Sequence, residues 1–517
     1  MTIPAEGAAG QSAAYCFLLP DPVAWDAAQA PVGKLVPVLR AETVSTPFTR
    51  LDTFDQALRL SNRMLLEHGT TWEVFLPTGQ TLSQSVARRQ KRAADLGEGP
   101  VRQALADMSP LRHLLPFGSG TLRRASLAFA DHRGKIRCRA DLLCLTTGEA
   151  ATATLVRLQG LRGYDKALAT LRHHLQTCGG TAFSMTTLHN LLFPGQMIYC
   201  AKPALGLATD LTSVDAVTRI IASLIPVLVQ NEAGILADLD TEFLHDYRVA
   251  LRKIRSVLSL FKGVYGPDQT AALKARLSAL MAQTGTLRDL DVQLLERQLQ
   301  YDAVPPSLHH GLDCLFVLRT AARSNALTKL ARHLNSRRHA DDMSDLAQLF
   351  AAPMALAPGP KAMLPIQAMT SMLIWKRFKA ARKLARCIGP DTSDEVVHDL
   401  RLQVKKLRYL LDFAADLYLR HALKPALRTI KHVQTHLGTI NDLSVQLDDL
   451  QSVISRTKTV PDTEMHQLAQ SLGALATVLH HRRREARHKT EAFVAPFIDP
   501  LTRDIFRALA HPGSPEP

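Results

Sequence analysis

The chain has 517 residues, with 62 Lys and Arg against 47 Asp and Glu, for a formal net charge of +15 at pH 7. Length predicts two to four domains, and the charge predicts a polyanionic partner: nucleic acid, polyphosphate or an anionic membrane. Aromatic residues at 5% argue against a stacking platform for single strands, and no zinc-finger, RRM or helix-turn-helix signature appears, so nucleic acid is not expected as a specific partner.

In chain order, MTIPAEGAAG at the start lacks the basic segment and apolar stretch of a secretory leader. The seven cysteines contain no C-x-x-C pair, so reduced thiols and a cytoplasmic location are expected. No uncharged apolar run reaches the roughly 18 residues of a membrane span. Residues 1–205 alternate short apolar segments with turns: FLLP (17–20), KLVPVLR (34–40), TTWEVFLP (70–77), SLAFADHRGKIRCRADLLCL (126–145) and ATLVRL (153–158). That pattern predicts an antiparallel sheet with a hairpin turn at His132-Arg133-Gly134, and helices over 82–94 and 163–177. From Ser213 the pattern is helical to about residue 507. It breaks at Gly266-Pro267, at Pro305-Pro306 and over AAPMALAPGPKAMLP (351–365), a linker between halves 213–350 and 366–507.

Those halves repeat one another. HDYRVALRKIRSVLSLF from His245 recurs, 153 residues on and without a gap, as HDLRLQVKKLRYLLDFA from His398. Tyr265 then matches Tyr418, and GTLRDLDVQL (285–294) matches GTINDLSVQL (438–447). On a helical wheel His245, Arg248, Arg252 and Arg255 fall within an arc of about 80°, over roughly 15 Å of helix. Leu244, Tyr247, Leu251, Ile254 and Leu258 fill the adjoining sector. In the second copy His398, Arg401, Lys405 and Arg408 stand beside Val397, Leu400, Val404, Leu407 and Leu411, and Lys253 and Lys406 flank the two arcs. A single basic face is most often plain solvated surface. Here it is read as carrying no Glu or Asp one turn on from its cations, and it recurs in charge as well as in hydrophobicity. Both observations favour a duplicated binding surface, whose histidines are expected to take up protons beside a polyanion.

These two passages, each followed by LRDLDV or INDLSV, resemble the halves of a CHAD domain (conserved histidine α-helical domain) over roughly 213–507. The resemblance implies two similar four-helix bundles about a pseudo-two-fold axis, with the histidine and the following Arg and Lys positions binding inorganic polyphosphate. Carried over by position, those are His245, Arg248, Arg252, Lys253 and Arg255, then His398, Arg401, Lys405, Lys406 and Arg408. Lys at 405 keeps charge but loses the bidentate fork of Arg. Arg319 and Arg323 after the first copy, and Arg483 and Arg487 after the second, are candidates for a second wall of the same site. Trp375-Lys376-Arg377-Phe378-Lys379 reads as a helix edge, and His480-His481 is not read as a metal pair.

The order of segments in 1–205 resembles a CYTH domain, the triphosphate tunnel fold, through Arg50-Leu51-Asp52-Thr53, Ala57-Leu58-Arg59-Leu60, Trp72 with Leu76, and LVRLQG (155–160). Working members of that family hold divalent metal through alternating glutamates, which period-two spacing gathers on one face of a strand. At the two corresponding places this chain reads SAAYCFLLP and ATATLVRL, with Arg157 where an acid belongs. A degenerate, non-catalytic domain without metal or cofactor is therefore expected, and no P-loop, G-x-S-x-G or H-E-x-x-H appears. The whole reads as an α+β antiparallel-sheet domain followed by an all-α domain of two duplicated four-helix bundles. Its expected function is to bind polyphosphate and tether the protein to chains or granules, with granule proteins as further partners. The alternatives are a triphosphate or polyphosphate hydrolase on the N-terminal fold, or an adaptor at a storage-granule surface.

Overall fold

Alternation in the first 200 residues builds an antiparallel sheet in the computed structural model, which describes residues 14–19, 24–86, 90–148, 151–352, 356–389, 391–456 and 462–511. MTIPAEGAAG lies outside them. The strands are β1 (Ala14–Leu19), β2 (Val36–Glu42), β3 (Thr46–Asp52), β4 (Met64–His68), β5 (Thr71–Phe75), β6 (Thr81–Ser85), β7 (Leu115–Ala130), β8 (Ile136–Thr147), β9 (Ala151–Gly160) and β10 (Thr181–Ala182). They lie in the order β10-β1-β9-β8-β7-β3-β4-β5-β6. The long β7 also has room for β2, which pairs along its second half. The expected hairpin joins β7 to β8: Asp131 accepts from the N–H groups of Arg133 and Lys135, and Gly134 supplies φ +73°. The helix expected over 82–94 is not formed. Residues 81–85 are the edge strand β6, with Leu82 opposite Val74; 87–89 lie outside the described residues, and 93–95 form a 3₁₀ turn.

Short helices α1 (Ala24–Ala28), α2 (Ala57–Leu60) and α3 (Pro100–Ala104) precede α4 (Asp165–Thr177) and α5 (Met185–Leu192). One sheet face buries Phe17, Leu19, Leu127, Phe129 and Val156 under Trp25 of α1 and Leu168, Leu171 and Leu175 of α4. The other face buries Leu18, Leu143, Leu145 and Leu155 with Phe48, Met64, Leu66, Phe75 and, from α5, Leu188 and Leu192. At roughly 1.5–3 kcal/mol per fully buried large apolar side chain, both layers contribute strongly.

Residues 201–517 form a second unit, nearly all helical: α6 (Ser213–Leu236), α7 (Thr241–Leu260), α8 (Pro267–Leu295), α9 (Arg297–Tyr301), α10 (His309–Leu334), α11 (Arg337–Ala351), α12 (Ile366–Ala385), α13 (Asp394–Phe413), α14 (Arg420–Arg456), α15 (Asp462–His488), α16 (Thr490–Ile498) and α17 (Pro500–Ala510). The 153-residue offset carries the starts of α6, α7, α8 and α11 onto those of α12, α13, α14 and α16. It also explains the paired tyrosines. Tyr265 shares a hydrogen bond with Thr218 (2.8 Å), and Tyr418 one with Ser371 (2.7 Å), at matching positions.

Two features of this unit go beyond a pair of separate bundles. Leu312, Leu315 and Phe316 of α10 bury against Leu468, Leu472 and Leu475 of α15, so these two helices, each also packed on α8 or α14 of its own half, share one core across the halves. The linker, in turn, is stitched to the first half. Gly266 N–H donates to Ala357 O, Gly359 N–H to Val264 O, Lys361 N–H to Gly263 O, and Ser213 N–H to Leu364 O. By length and composition α6 could cross a membrane, although Arg219 and Glu232 bracket its uncharged run well short of a span; Ile220, Ile221, Leu224 and Leu228 are buried in the helical core.

Candidate anion site

The side chain of Asp240 caps α7 by accepting from Glu242 N–H (2.9 Å). Phe243, Leu244, Tyr247, Leu251, Ile254 and Leu258 are buried, which turns His245, Arg248 and Arg252 away from the core of the first half. α13 does the same with Val397, Leu400, Val404, Leu407 and Leu411. Because α7 and α13 lie against each other, the two combs meet. Burial first, then the charges of Arg252 and Arg401, push the Lys405 ammonium down to about 8.

The cluster is anchored from α8. Arg248 Nη1 donates to Thr284 Oγ1 (2.7 Å) and to Met281 O (3.2 Å). Arg288, which the sequence reading passed over, donates through Nη1 to Thr241 O (3.2 Å) and through Nη2 to His245 Nδ1 (2.9 Å). A guanidinium only donates, so Nδ1 accepts here. His245 thus positions Arg288. Burial lowers the pKa of both Arg248 and Arg288, and the Arg252 charge adds to the effect. The Nε atoms of Arg248 and Arg252 are buried without a partner. Among the described residues no carboxylate forms a salt bridge with Arg248, Arg252, Arg401 or Lys405. Asp289, whose carboxyl is raised by burial, and Asp442 supply opposite charge nearby.

The remaining candidates are placed differently. Lys253, Arg255 and Lys406 are partly buried at the flanks of the combs. Arg408 Nε bonds Asp412 one turn on at 3.0 Å, so this cation does have an acid at i+4; His481 likewise meets Glu485 (3.2 Å). His398 is exposed in a cleft of about 570 Å³ that Asp394, Glu395, Asp399 and Asp448 line together with Arg401 and Arg483. The expected second wall is not a row of free cations. Arg319 is buried on Gln300 (2.9 Å) and Asp449 (2.7 Å). Arg323 bridges Asp291 (2.7 Å) and Asp238 (2.6 Å). Arg483 and Arg487 both pair with Asp394.

In the sheet domain, the passages that resemble a tunnel enzyme have structural explanations. The Asp52 carboxylate accepts from the N–H groups of Thr53, Leu58 and Arg59 at 2.8–3.1 Å, which closes the turn into α2. Arg50 is buried between the rings of Phe117 and Phe193 and bonds His189 and Gln196. Register aligns Cys16, Arg157, Asp141 and Ser126 in one row across β1, β9, β8 and β7, and Leu18, Leu155, Leu143 and Arg124 in the next. Asp141 accepts from Ser126 (2.8 Å), and Arg124 pairs with the buried Glu73.

Comparison with known proteins places the helical domain. Residues 219–451 match the CHAD domain family. The crystal structure of the CHAD domain from the plant Ricinus communis is similar at 25% identity, covering 54% of this chain and 95% of that one, with a TM-score of 0.44. PptA from Streptomyces chartreusis is similar at 16% identity, covering 58% and 99%, with a TM-score of 0.41. No curated protein matches.

Proposed function

With residues 219–451 identified as a CHAD domain, we propose that this domain binds inorganic polyphosphate through the cluster on α7, α8 and α13, tethering the protein to polyphosphate chains or granules in the cytoplasm. One observation carries the reading. Arg252, Arg401 and Lys405 converge where α7 meets α13; burial first, and then the two guanidinium charges, bring Lys405 down to about 8, and among the described residues no carboxylate is in salt-bridge contact with the three. Like charges forced together are unfavourable until an anion neutralises them. Polyphosphate has closely spaced charges and no base to read, so Arg forks and a Lys ammonium suffice to hold it. The discriminating experiment is competition between polyphosphate, RNA and DNA at fixed salt. Preference for either nucleic acid rejects this reading.

The pH dependence follows from Lys405. In the free protein it loses its proton near pH 8, whereas a bound polyanion favours the charged form, so binding above that pH takes up a proton. Affinity is expected to fall roughly tenfold or more between pH 7 and 9.5, because each pKa unit separating the free and bound forms is worth tenfold. Lys405→Arg should flatten the profile. An equally steep fall in that variant assigns the proton to another group.

We further propose that the sheet domain is not a working triphosphatase. Two-metal phosphoryl chemistry needs clustered carboxylates, and the paired positions of β1 and β9 carry Cys16, Leu18, Arg157 and Leu155. The full-length protein should release no phosphate from tripolyphosphate with Mg²⁺ or Mn²⁺. Metal-dependent release above a buffer control revives the hydrolase reading.

A further inference from the structure

The second half carries a cationic row that the first half lacks. On α14, Arg420, Lys424, Arg428, Lys431 and His432 are all exposed. They lie within an arc of about 120° and along roughly 18 Å of helix. The residues four positions on from each are Lys424, Arg428, His432, Thr435 and His436, so no acid offsets the row from the next turn. At its far end the row opens on a groove of about 480 Å³ formed by Arg428, Lys431, His432, His436 and Phe493 with two threonines, and no lining residue is acidic. The floor is rigid. The His436 ring stacks on Phe493 at 3.9 Å and 4°, and the His432 ring lies 4.9 Å from the same phenyl group. This face is on the opposite side of α14 from Leu437, Ile440, Asn441 and Ser444, which line the His398 cleft.

Duplication supplies an internal control. At the matching positions of α8 the first half has Pro267, Ala271, Ala275, Ser278 and Ala279, and Ala340 stands where the second half has Phe493. The same helix is thus built without the cations, and like charges one turn apart disfavour a helix. Folding of this helix therefore does not require them on α14. We propose that this row is a second phosphate-oxyanion track, binding a polyphosphate segment independently of the cluster on α7, α8 and α13. The ligand class rests on the polyphosphate reading; the existence of the track does not. Two tracks let one domain hold two stretches of a chain, or two chains, so binding becomes bivalent.

Tripolyphosphate is short enough to report each track separately. Calorimetric titration of the full-length protein should give two sites. The variant Arg428→Ala/Lys431→Ser/His432→Ala installs residues the first half already tolerates on the same helix, and it should lose one site with helix content unchanged. The variant Arg252→Ala/Arg401→Ala/Lys405→Ala should lose the other. A folded α14 variant with the stoichiometry and affinity of the parent overturns the second track. Loss of all binding in the α14 variant, with none in the other, keeps the track and sinks the α7–α13 cluster.

Discussion

Replacing Arg252, Arg401 and Lys405 together by alanine should weaken binding of long-chain polyphosphate by about 100-fold at low salt, equivalent to about 2.7 kcal/mol. The three cations come from both copies and converge where α7 meets α13. A chain lying there touches all of them at once, and charge-assisted hydrogen bonds are the strong ones. The dependence on salt should fall in parallel. Each phosphate neutralised releases counterions, so the logarithmic slope should decrease by somewhat under one unit per cation removed. Alanine is the best helix former, and the core sides of both helices are untouched, so circular dichroism should match the parent. A folded variant with parental affinity and slope would falsify the cluster as the binding site.

Gly311→Ala should be among the most damaging small substitutions in the helical domain. An added Cβ would sit 2.7 Å from the Gln467 carbonyl carbon and still closer to its oxygen and to Ser471 Oγ. Ser471 cannot turn aside freely, because its hydroxyl lies 2.7 Å from Leu308 O and 2.9 Å from Gln467 O. The obstruction is largely backbone, so α10 and α15 must separate, opening the layer of Leu312, Leu315, Phe316, Leu468 and Leu472. Overpacking of this kind costs about 1–3 kcal/mol and occasionally more. The upper end is expected here, read as a lower thermal midpoint by differential scanning calorimetry. An unchanged midpoint would mean that the helices are free to slide apart.

Much of this architecture is legible in the amino-acid sequence because it is written twice. The fixed offset locates the helix starts, the buried sides of α7 and α13 and the paired tyrosines. What escapes the sequence lies off the repeat or far along the chain. Arg319 and Arg323 read as free cations because their partners Asp449, Asp291 and Asp238 lie 32–130 residues away, and no local spacing reveals such pairs. Arg288 lies inside the repeated GTLRDLDVQL, but Asn441 takes its place in the second copy, so matching by identity hides it. The row on α14 is invisible for the converse reason: the first copy has alanine and serine there. Residues 81–85 mimic a helix start until β5 offers them a partner.

The shared core of α10 and α15 bears on how such a chain could arise. A single repeat would leave Leu312 and Leu315 part-exposed to water, because its own half covers this apolar face only in part, with Tyr301 stacked on Phe316. The economical remedy for a one-repeat ancestor is a two-fold dimer, in which each copy sets this helix against that of its twin. Fusion of the two genes then turns the dimer contact into an intramolecular one, and the stretch 357–364, stitched to the first half, records where the join was made. Once joined, the copies no longer had to remain identical. A symmetric dimer must place every residue twice, whereas a tandem chain can keep alanines on one long helix and load the other with arginine, lysine and histidine.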